Sequence, residues 1–458
     1  MSDSPDNGIE HTPRPGYIID YISGGEVRAT PEEVDGTQVF SRRLVEDYGY
    51  PKDNIQTRPQ FRVRRSPSDD RRSFPVDIAL FRSAGRTESD LYLVAESKAP
   101  NKKKGREQLQ LYMDMSATAL GVWFNGSDHL YLRKHVRRDG TTTYTELPNI
   151  PRFGQRLEDI GLFQRKDLVP PSNLKAVFKD IRNHLAGSVT GITRAEALAQ
   201  EIINLLFCKI YDELNTGKDD MVSFRSGFEE PATSVAERIE KLFDHVKTEY
   251  DDVFARTDRI RLDADSILYV VGELQNYTVT EADRDAVGDA FEVFIGPALR
   301  GAEGQFFTPR NVIKMMVGML DPKPGQMVVD PACGSGGFLI NALEHVWAGI
   351  DLEGEAKGWS PLQTDRKKRA NATRYFRGID KDAFLAKVTK AYMAIVGDGR
   401  GGVFCDNSLL PPSQWQPETA AKVKLGSFDA VLTNPPFWQE YQDQGIGDPF
   451  PIRTWPPA

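Results

Sequence analysis

The chain has few of the features that mark secreted, metal-binding or membrane proteins. Its 458 residues include only three cysteines, Cys208, Cys333 and Cys405, which are scattered without metal-ligand spacing. The sequence therefore predicts neither a disulfide framework nor a zinc site. No apolar run approaches the roughly 20 residues that cross a bilayer, and the N-terminus has no signal-peptide core. We expect no membrane association and a cytoplasmic location.

A large excess of positive charge is also missing. The formal net charge of −8 argues against a protein that coats nucleic acid through bulk charge. Local basic clusters at residues 62–72, 102–106 and 134–138 are candidate phosphate contacts. Solvated surface charge is the alternative interpretation of each cluster.

The length predicts several domains, each with its own core. Residues 1–28 are polar and rich in Pro and Gly, which predicts a flexible N-terminus. Residues 29–155 have the pattern of a compact α/β domain, and residues 301–458 have that of a second one. Between them, residues 165–300 predict a helical domain, because apolar residues recur at helical spacing in segments 195–214, 234–254 and 285–299.

Two apolar runs in the first α/β domain carry charged residues. The run FPVDIALF places Asp77 in the middle of a strand, and LYLVAESKA places Glu96 and Lys98 near the end of the next. We expect the two runs to pair, with Glu96 and Lys98 on one face because side chains alternate along a strand. Two carboxylates there suit a divalent metal such as Mg²⁺, and the lysine suits a water or a phosphate.

The sequence predicts one helix before these strands in the chain and another after them, which carries Gln108 and Tyr112 four residues apart. Residues 30–33 (TPEE) have the signature of a helix N-terminus. This arrangement resembles the PD-(D/E)xK nuclease pattern, and more narrowly the N-terminal nuclease domain of type I restriction subunits. The resemblance implies a metal held by Asp77 and Glu96, with Lys98, Gln108, Tyr112 and Glu33 as further catalytic residues. Ordinary strand-end charges would have the same pattern, and whether the domain cuts DNA stays open.

In the C-terminal domain, residues 328–339 (VVDPACGSGGFL) have the strand, glycine-rich turn and helix order of a nucleotide-type cofactor site. Two further strands are expected to end in Asp380 and Asp406, where carboxylates would accept hydrogen bonds from ribose hydroxyls and an adenine amino group. The long interval between Asp330 and Asp380 is attributed to a polar insertion at residues 353–373. Cys333 is interpreted as a small filler.

Two further motifs complete the pattern. QFFTPR, residues 305–310, is expected to open a helix with Thr308 as N-cap and Pro309 in the first turn, whose free N–H groups suit a carboxylate. In NPPF, residues 434–437, the side-chain carbonyl of Asn434 and the main-chain carbonyl of Pro435 are placed to accept both hydrogens of an adenine amine. This pulls the nitrogen lone pair out of the ring plane, and Phe437 is able to stack on a base rotated out of the duplex.

The four motifs QFFTPR, DPACGSGGF, GID and NPPF, in this order, resemble the N6-adenine DNA methylases of type I modification subunits. The resemblance implies S-adenosylmethionine as cofactor, double-stranded DNA as substrate, and a specificity or complementing subunit as partner. The implied cofactor residues are Gln305, Phe306, Phe307, Thr308, Pro309, Arg310, Asp330, Cys333, Gly334, Ser335, Gly336, Asp380 and Asp406, and the implied catalytic residues are Asn434, Pro435, Pro436 and Phe437.

The expected fold is therefore α/β: a Rossmann-like class I methyltransferase sheet, a helical middle domain and an N-terminal restriction-endonuclease-like domain. The sheet is expected to be incomplete, with around four of about seven strands, as in a fragment or a chain completed by another polypeptide. The expected function is site-specific adenine-N6 methylation of DNA in a restriction-modification system. The alternatives are a bifunctional enzyme whose N-terminal domain also cuts DNA with Mg²⁺, and a catalytically inactive subunit that binds DNA or a partner.

Overall fold

The computed structural model describes residues 12–64, 73–99, 105–126, 128–189, 195–282, 308–396 and 399–435, together with residues 290, 293 and 296. These residues form two compact units. The first comprises the described residues of Met1–Gly191, Asp212–Leu242 and Leu262–Ala290, and the second those of Ile192–Tyr211, Phe243–Arg261 and Phe291–Ala458. Among the helices described, none combines the length and the apolar composition needed to cross a bilayer.

The first unit is built around a six-stranded mixed sheet with the strand order β10-β9-β8-β7-β6-β3. Only β7 and β8 pair in parallel, and the helix α2 connects them. A helical turn, Glu32–Thr37, leads into α1, and both precede the strands of this sheet in the chain. The elements are β1 Tyr17–Ile19, β2 Glu26–Arg28, α1 Gln38–Glu46, β3 Ile55–Gln56, β4 Arg62–Arg64, β5 Ser73–Pro75, β6 Ile78–Phe81, β7 Leu91–Ser97, α2 Arg106–Asp114, β8 Leu120–Phe124, β9 His129–Val136 and β10 Thr142–Leu147.

Side-chain alternation in the central strands gives this sheet two buried faces. Leu80 of β6 packs in one apolar cluster with Leu44 of α1, whereas Val94 of β7 packs in the opposite cluster with Met113 of α2. Each fully buried Leu or Val contributes about 1.5–3 kcal/mol. Because side chains two residues apart share a face, Glu96 lies on the α2 side of the sheet. The predicted pairing of the two apolar runs is confirmed, since β6 and β7 are antiparallel neighbours.

Helices dominate residues 174–274 as predicted. Segments 195–214 and 234–254 form α4 and α5, although α5 ends at Glu249, and most of segment 285–299 lies outside the described residues. The two units divide residues 165–300 between them, so the four-part domain division stays a prediction. The helices are α3 Leu174–Ser188, α4 Ala195–Asn215, α5 Ala232–Glu249 and α6 Ala264–Leu274.

The second unit contains a sheet of four parallel strands in the order β13-β12-β11-β14. In chain order this is third, second, first and fourth, the order at the centre of a doubly wound α/β sheet. The α/β class and the sheet of around four strands are confirmed for the described residues. The elements are α7 Arg310–Leu320, β11 Val328–Asp330, α8 Gly337–Lys357, α9 Pro361–Tyr375, β12 Phe376–Asp380, α10 Ala383–Val396, β13 Val403–Cys405, α11 Pro417–Lys422 and β14 Ala430–Val431.

Two helices connect β11 to β12, so the polar insertion predicted at residues 353–373 is helical. Gly358, with a φ of 66°, ends α8. The Ser360 side chain then accepts a hydrogen bond from the Gln363 main-chain amide, and the Gln363 side-chain oxygen accepts one from the Ser360 main-chain amide. This capping box starts α9. The extra length between Asp330 and Asp380 is therefore a second helix.

Candidate functional site

The carboxyl edge of the four-stranded sheet brings together most of the predicted cofactor and catalytic residues. Asp330 ends β11, Asp380 ends β12, Asp406 follows β13, and Asn434 lies three residues after β14. Beyond β14, the Leu432 amide donates to the Val329 carbonyl at 3.0 Å, so this segment continues alongside β11. Ligands of doubly wound sheets bind at this edge, where the strand order reverses between neighbouring strands.

The glycine loop between β11 and α8 docks against the end of β12. The Cys333 amide donates to the Ile379 carbonyl at 3.0 Å, and the Gly334 amide donates to Asp380 Oδ2 at 2.8 Å. Gly334 has a φ of 54° and Gly336 a φ of 85°, backbone conformations that favour glycine. A Cβ added at Gly334 would meet no atom within 4 Å, so the loop has an open face there.

Asp330 is almost completely buried at the start of this loop. Its Oδ1 accepts a hydrogen bond from the Ala332 amide at 3.1 Å. Burial raises the pKa of Asp330 to about 7; the Thr433 hydroxyl and the Ala332 amide oppose this shift, and the nearby Asp380 carboxylate adds to it. Without a cation beside it, the Asp330 carboxyl thus binds a proton readily near neutral pH.

Asp380 and Asp406 are both held by main-chain amides. Besides the Gly334 contact, Asp380 Oδ1 accepts from the Asp382 amide at 2.9 Å, and burial raises the pKa of Asp380. Asp406 accepts from the Asn407 amide at 3.0 Å and from the Gln416 amide at 2.7 Å. Each carboxylate oxygen has a second lone pair, so both acids keep the capacity to accept ligand hydrogen bonds.

Asn434 contacts the segment that precedes α7. Its Nδ2 donates to Thr308 Oγ1 at 2.9 Å. The prediction that Thr308 caps this helix is wrong, because α7 begins at Arg310, Pro309 precedes it, and the Thr308 hydroxyl interacts with Asn434 instead. The Arg310 guanidinium lies 3.5 Å from the Tyr392 hydroxyl. Gln305, Phe306, Phe307, Pro436 and Phe437 lie outside the described residues.

The remaining predicted residues of this site have simpler surroundings. Cys333 is buried, and its Sγ lies 3.3 Å from the place of a Cβ on Gly378. Burial raises the pKa of the Cys333 thiol, which disfavours a thiolate. Ser335 is half-buried in the loop and Pro435 is exposed.

A second cluster of predicted residues lies in the first unit. Asp77 immediately precedes β6 and is not in the middle of a strand, because β5 ends at Pro75. The pairing of Ile78 with Ala95 brings Asp77 to the level of Glu96. Asp77 accepts hydrogen bonds from the Gln60 side chain at 3.0 Å and from the Ser97 amide at 2.8 Å.

Lys98 joins this cluster on the same face. Its ammonium donates to Glu96 and, at 3.4 Å, to Glu32. Burial and the nearby Asp77 carboxylate raise the pKa of Glu96 to about 7. Burial alone would lower the pKa of Lys98, but the hydrogen bond to Glu96 and its charge raise it. The lysine therefore stays charged and holds Glu96 in place.

The structure brings Glu32, which the sequence analysis did not select, into contact with Lys98. Glu33 accepts hydrogen bonds from Gln38 at 2.8 Å and Arg58 at 2.6 Å, and it lines a surface pocket with Arg58. Neighbouring helical residues point about 100° apart, so the direction in which each side chain points decides whether Glu32 or Glu33 faces Lys98. No sequence pattern indicated Glu32, because the turn Glu32–Thr37 is a π-helix, in which side chains point in other directions than in an α-helix.

Gln108 and Tyr112 share a face of α2, as their spacing predicts. Gln108 Nε2 lies 2.5 Å from the Tyr112 hydroxyl. Burial raises the pKa of Tyr112, and Glu96 and Asp77 contribute to the shift, which places this hydroxyl near the acidic pair. In the part of the chain that the structure describes, no group of three or more His, Cys, Asp or Glu residues is arranged to hold a metal ion.

Two family models match the chain. Residues 282–457 match the N-6 DNA Methylase family, and residues 31–151 match the type I restriction enzyme R protein N terminus. Residues 282–457 are thus similar to N-6 DNA methylases and residues 31–151 to the type I restriction R-protein N terminus, in line with the motifs.

Individual relatives match the chain in part. The type I restriction enzyme EcoEI methylase subunit of Escherichia coli is 31% identical over 174 residues, which cover 37% of this chain and 31% of the relative. The MjaIX methylase subunit of Methanocaldococcus jannaschii is 30% identical over 203 residues, with coverage of 43% and 31%. The chain thus spans about a third of the length of these relatives. A solved modification subunit of a putative type I restriction enzyme from Vibrio vulnificus aligns with a TM-score of 0.36 and 17% identity over 58% of this chain and 61% of that chain.

Proposed function

We propose that the chain is a site-specific DNA adenine-N6 methyltransferase of a restriction-modification system. The observation that carries this proposal is that Asn434 and the glycine loop follow two paired strands of the same sheet. Asn434 follows a strand paired with β11, the strand that ends in Asp330, and its side chain binds Thr308. Three separate motifs therefore meet at one edge of the sheet, where methyl donor and target base have to meet.

The residues at this edge fit S-adenosylmethionine. The loop is open beside Gly334, and the carboxyl groups of Asp330 and Asp380 border it. A carboxylate at Asp330 suits an ammonium, and Asp380 and Asp406 suit hydroxyl and amino hydrogens. When bound, S-adenosylmethionine supplies a methyl group activated on a sulfonium.

Asn434 then prepares the target amine. Its Nδ2 donates to Thr308, which leaves Oδ1 as an acceptor for one amine hydrogen. The main-chain carbonyl of Pro435 is the acceptor for the second. Acceptors for both hydrogens favour a tetrahedral nitrogen whose lone pair no longer conjugates with the ring, so the amine becomes a nucleophile without a covalent enzyme intermediate. Since the base has to leave the duplex to reach this edge, the substrate is double-stranded DNA with a flipped adenine.

The test is methyl transfer from labelled S-adenosylmethionine to DNA, with any co-encoded specificity or complementing subunit present in the cytoplasmic complex. Digestion of the product should yield N6-methyladenine. Asn434→Ala should lower the rate about a hundredfold or more while cofactor binding persists, because a hydrogen bond used in the transition state is lost. Asn183→Ala, in α3, is the matched control and should be fully active.

The outcome also separates this proposal from an inactive subunit. A wild-type complex that binds S-adenosylmethionine and DNA but forms no N6-methyladenine would support a role in DNA or partner binding alone. Methylation that survives in Asn434→Ala would contradict the assignment of this residue.

We also propose a second activity, Mg²⁺-dependent DNA cleavage by the first unit. It is favoured by the proximity of Asp77, Glu96 and Lys98 at the neighbouring ends of β6 and β7, where Glu32 of the turn before α1 contacts Lys98. Asp77 and Glu96 would hold the metal, which supplies positive charge to the phosphodiester, and the charged Lys98 would orient the attacking water.

Plasmid cleavage tests this second activity. The wild type should nick or cut DNA with Mg²⁺ and not with EDTA, and Lys98→Ala should abolish the reaction. Lys166→Ala, which removes an exposed lysine paired with Asp219, should cut normally. Cutting that persists in Lys98→Ala would exclude this cluster as its source.

A further inference from the structure

Thr389 of α10 lies behind the glycine loop, although no sequence motif includes it. The side chain is fully buried, and its hydroxyl donates to the main-chain oxygen of Gly334 at 2.6 Å. Its methyl group faces the backbone of Gly336, where an added Cβ would be only 2.9 Å from Thr389 Cγ2. One side chain thus contacts both loop residues that have a positive φ.

These contacts complete the restraint on Gly334. Its N–H donates to Asp380 at 2.8 Å, and its carbonyl accepts from Thr389, so both of its peptide groups have a defined orientation. Glycine has access to many more backbone conformations than other residues. The two hydrogen bonds select one of them, in which the open face of the loop lies beside Asp380.

We propose that Thr389 is a positioning residue that holds the glycine loop in the conformation that receives the methyl donor. This inference rests on the proposed function, since it takes S-adenosylmethionine as the ligand of the loop. Thr389 acts through Gly334 and Gly336 and makes no ligand contact of its own, because it is buried on the α10 side. The hydroxyl fixes the Gly334 peptide and carries the main effect, whereas the methyl group only packs against Gly336.

Two substitutions separate these roles. Thr389→Val keeps the shape and removes the hydroxyl, and Thr389→Ser keeps the hydroxyl and removes the methyl group. Thr118→Val is the matched control, because Thr118 is also buried and donates to the Tyr92 carbonyl at 2.6 Å, but lies in the first unit. All variants are compared as full chains.

Calorimetry with S-adenosylmethionine is the first measurement. Thr389→Val should raise the dissociation constant about tenfold, equivalent to about 1.4 kcal/mol, because the Gly334 carbonyl loses its buried donor. Thr389→Ser should stay within about threefold of wild type, and Thr118→Val should not change the affinity. A purely structural role would lower the melting temperature of Thr389→Val and leave the dissociation constant unchanged, which would overturn the inference. Equal loss of affinity in the Ser and Val variants would overturn it as well.

Amide hydrogen exchange without ligand is the second measurement. The Gly334 and Gly336 amides should exchange about tenfold faster in Thr389→Val than in wild type, and at the wild-type rate in Thr389→Ser. Unchanged exchange in Thr389→Val would overturn the positioning role of Thr389, whether or not the ligand binds. If the wild type binds no S-adenosylmethionine but the variants show the expected differences in exchange, the proposed function is rejected and the positioning role of Thr389 is retained.

Discussion

At the scale of single residues, Asp330 links cofactor binding to pH. Burial raises its pKa to about 7, well above the usual value for an aspartate. An acid with a raised folded-state pKa contributes stability that is fully present below its unfolded pKa near 4 and is lost as the pH rises through 7. The folded protein thus keeps Asp330 protonated in weak acid, whereas an ammonium ligand requires it ionised.

We therefore expect S-adenosylmethionine affinity to rise about tenfold per pH unit below pH 7 and to level off above it. Asp330→Asn should bind more weakly and should show no such rise, because the amide does not ionise. Its unfolding free energy should also vary less between pH 4 and 7 than that of the wild type, by on the order of 4 kcal/mol. Calorimetric titrations and urea unfolding at several pH values measure both effects. An equally steep rise in Asp330→Asn would assign the titration to another group.

At the scale of elements, the helical turn Glu32–Thr37 depends on two glycines that let it approach β7 and the segment after β8. A Cβ at Gly36 would lie 3.1 Å from Ser97 Cβ, and a Cβ at Gly126 would lie 2.3 Å from the Asp35 carbonyl oxygen. Gly126 also has a φ of 74°. The turn therefore lies against the sheet only where side chains are missing, and this approach brings Glu32 to Lys98.

Gly126→Ala should consequently lower the unfolding free energy of the protein by about 2–3 kcal/mol, because backbone strain and a clash with main-chain atoms add. Gly140→Ala is the matched control, since Gly140 has a φ of 82° but no atom within 4 Å of an added Cβ, and it should cost about 1 kcal/mol. Urea unfolding compares the two. Equal losses in both variants would mean that strain alone acts and that the close approach contributes nothing.

The sequence predicted those parts of the fold and site that local patterns encode. The strand ends at Asp330 and Asp380, and the strand that stops just before Asp406, follow from apolar runs that are followed by or end in an acid. The helix α9 was not predicted, because residues 353–373 were interpreted as a polar insertion. The choice between adjacent acids was not readable, because it depends on the phase of a π-helical turn. Contacts such as that between Thr389 and Gly334 join residues 55 positions apart, and no periodicity or motif records them.

At the scale of the whole molecule, the first unit contains a buried ionic network that no local pattern predicts. Arg43 of α1 lies 3.1 Å from Glu273 of α6 and 3.6 Å from Asp180 of α3, and His129 of β9 lies 2.9 Å from Glu273. Burial alone would raise the pKa of Glu273, but His129 and Arg43 lower it to about 2. These charges connect α1 and the strand β9 with α3 and α6, which come later in the chain. They make the sheet and the two helices depend on each other.

Arg43→Met should lower the unfolding free energy of the protein by about 3–5 kcal/mol, because removing one partner leaves Glu273 and Asp180 buried without their cation. Arg156→Met, which removes an exposed arginine paired with Asp159, should cost no more than about 1 kcal/mol. Adding Glu273→Leu to Arg43→Met should recover part of the loss, since the uncompensated carboxylate is then gone.

The depressed pKa of Glu273 gives a further signature. The contribution of Glu273 to stability is present above its unfolded pKa near 4.5 and is lost as the pH falls toward 2, so the wild type and Arg43→Met should converge in stability in strong acid. If Arg43→Met instead matched Arg156→Met at neutral pH, the network would contribute packing and not net stability.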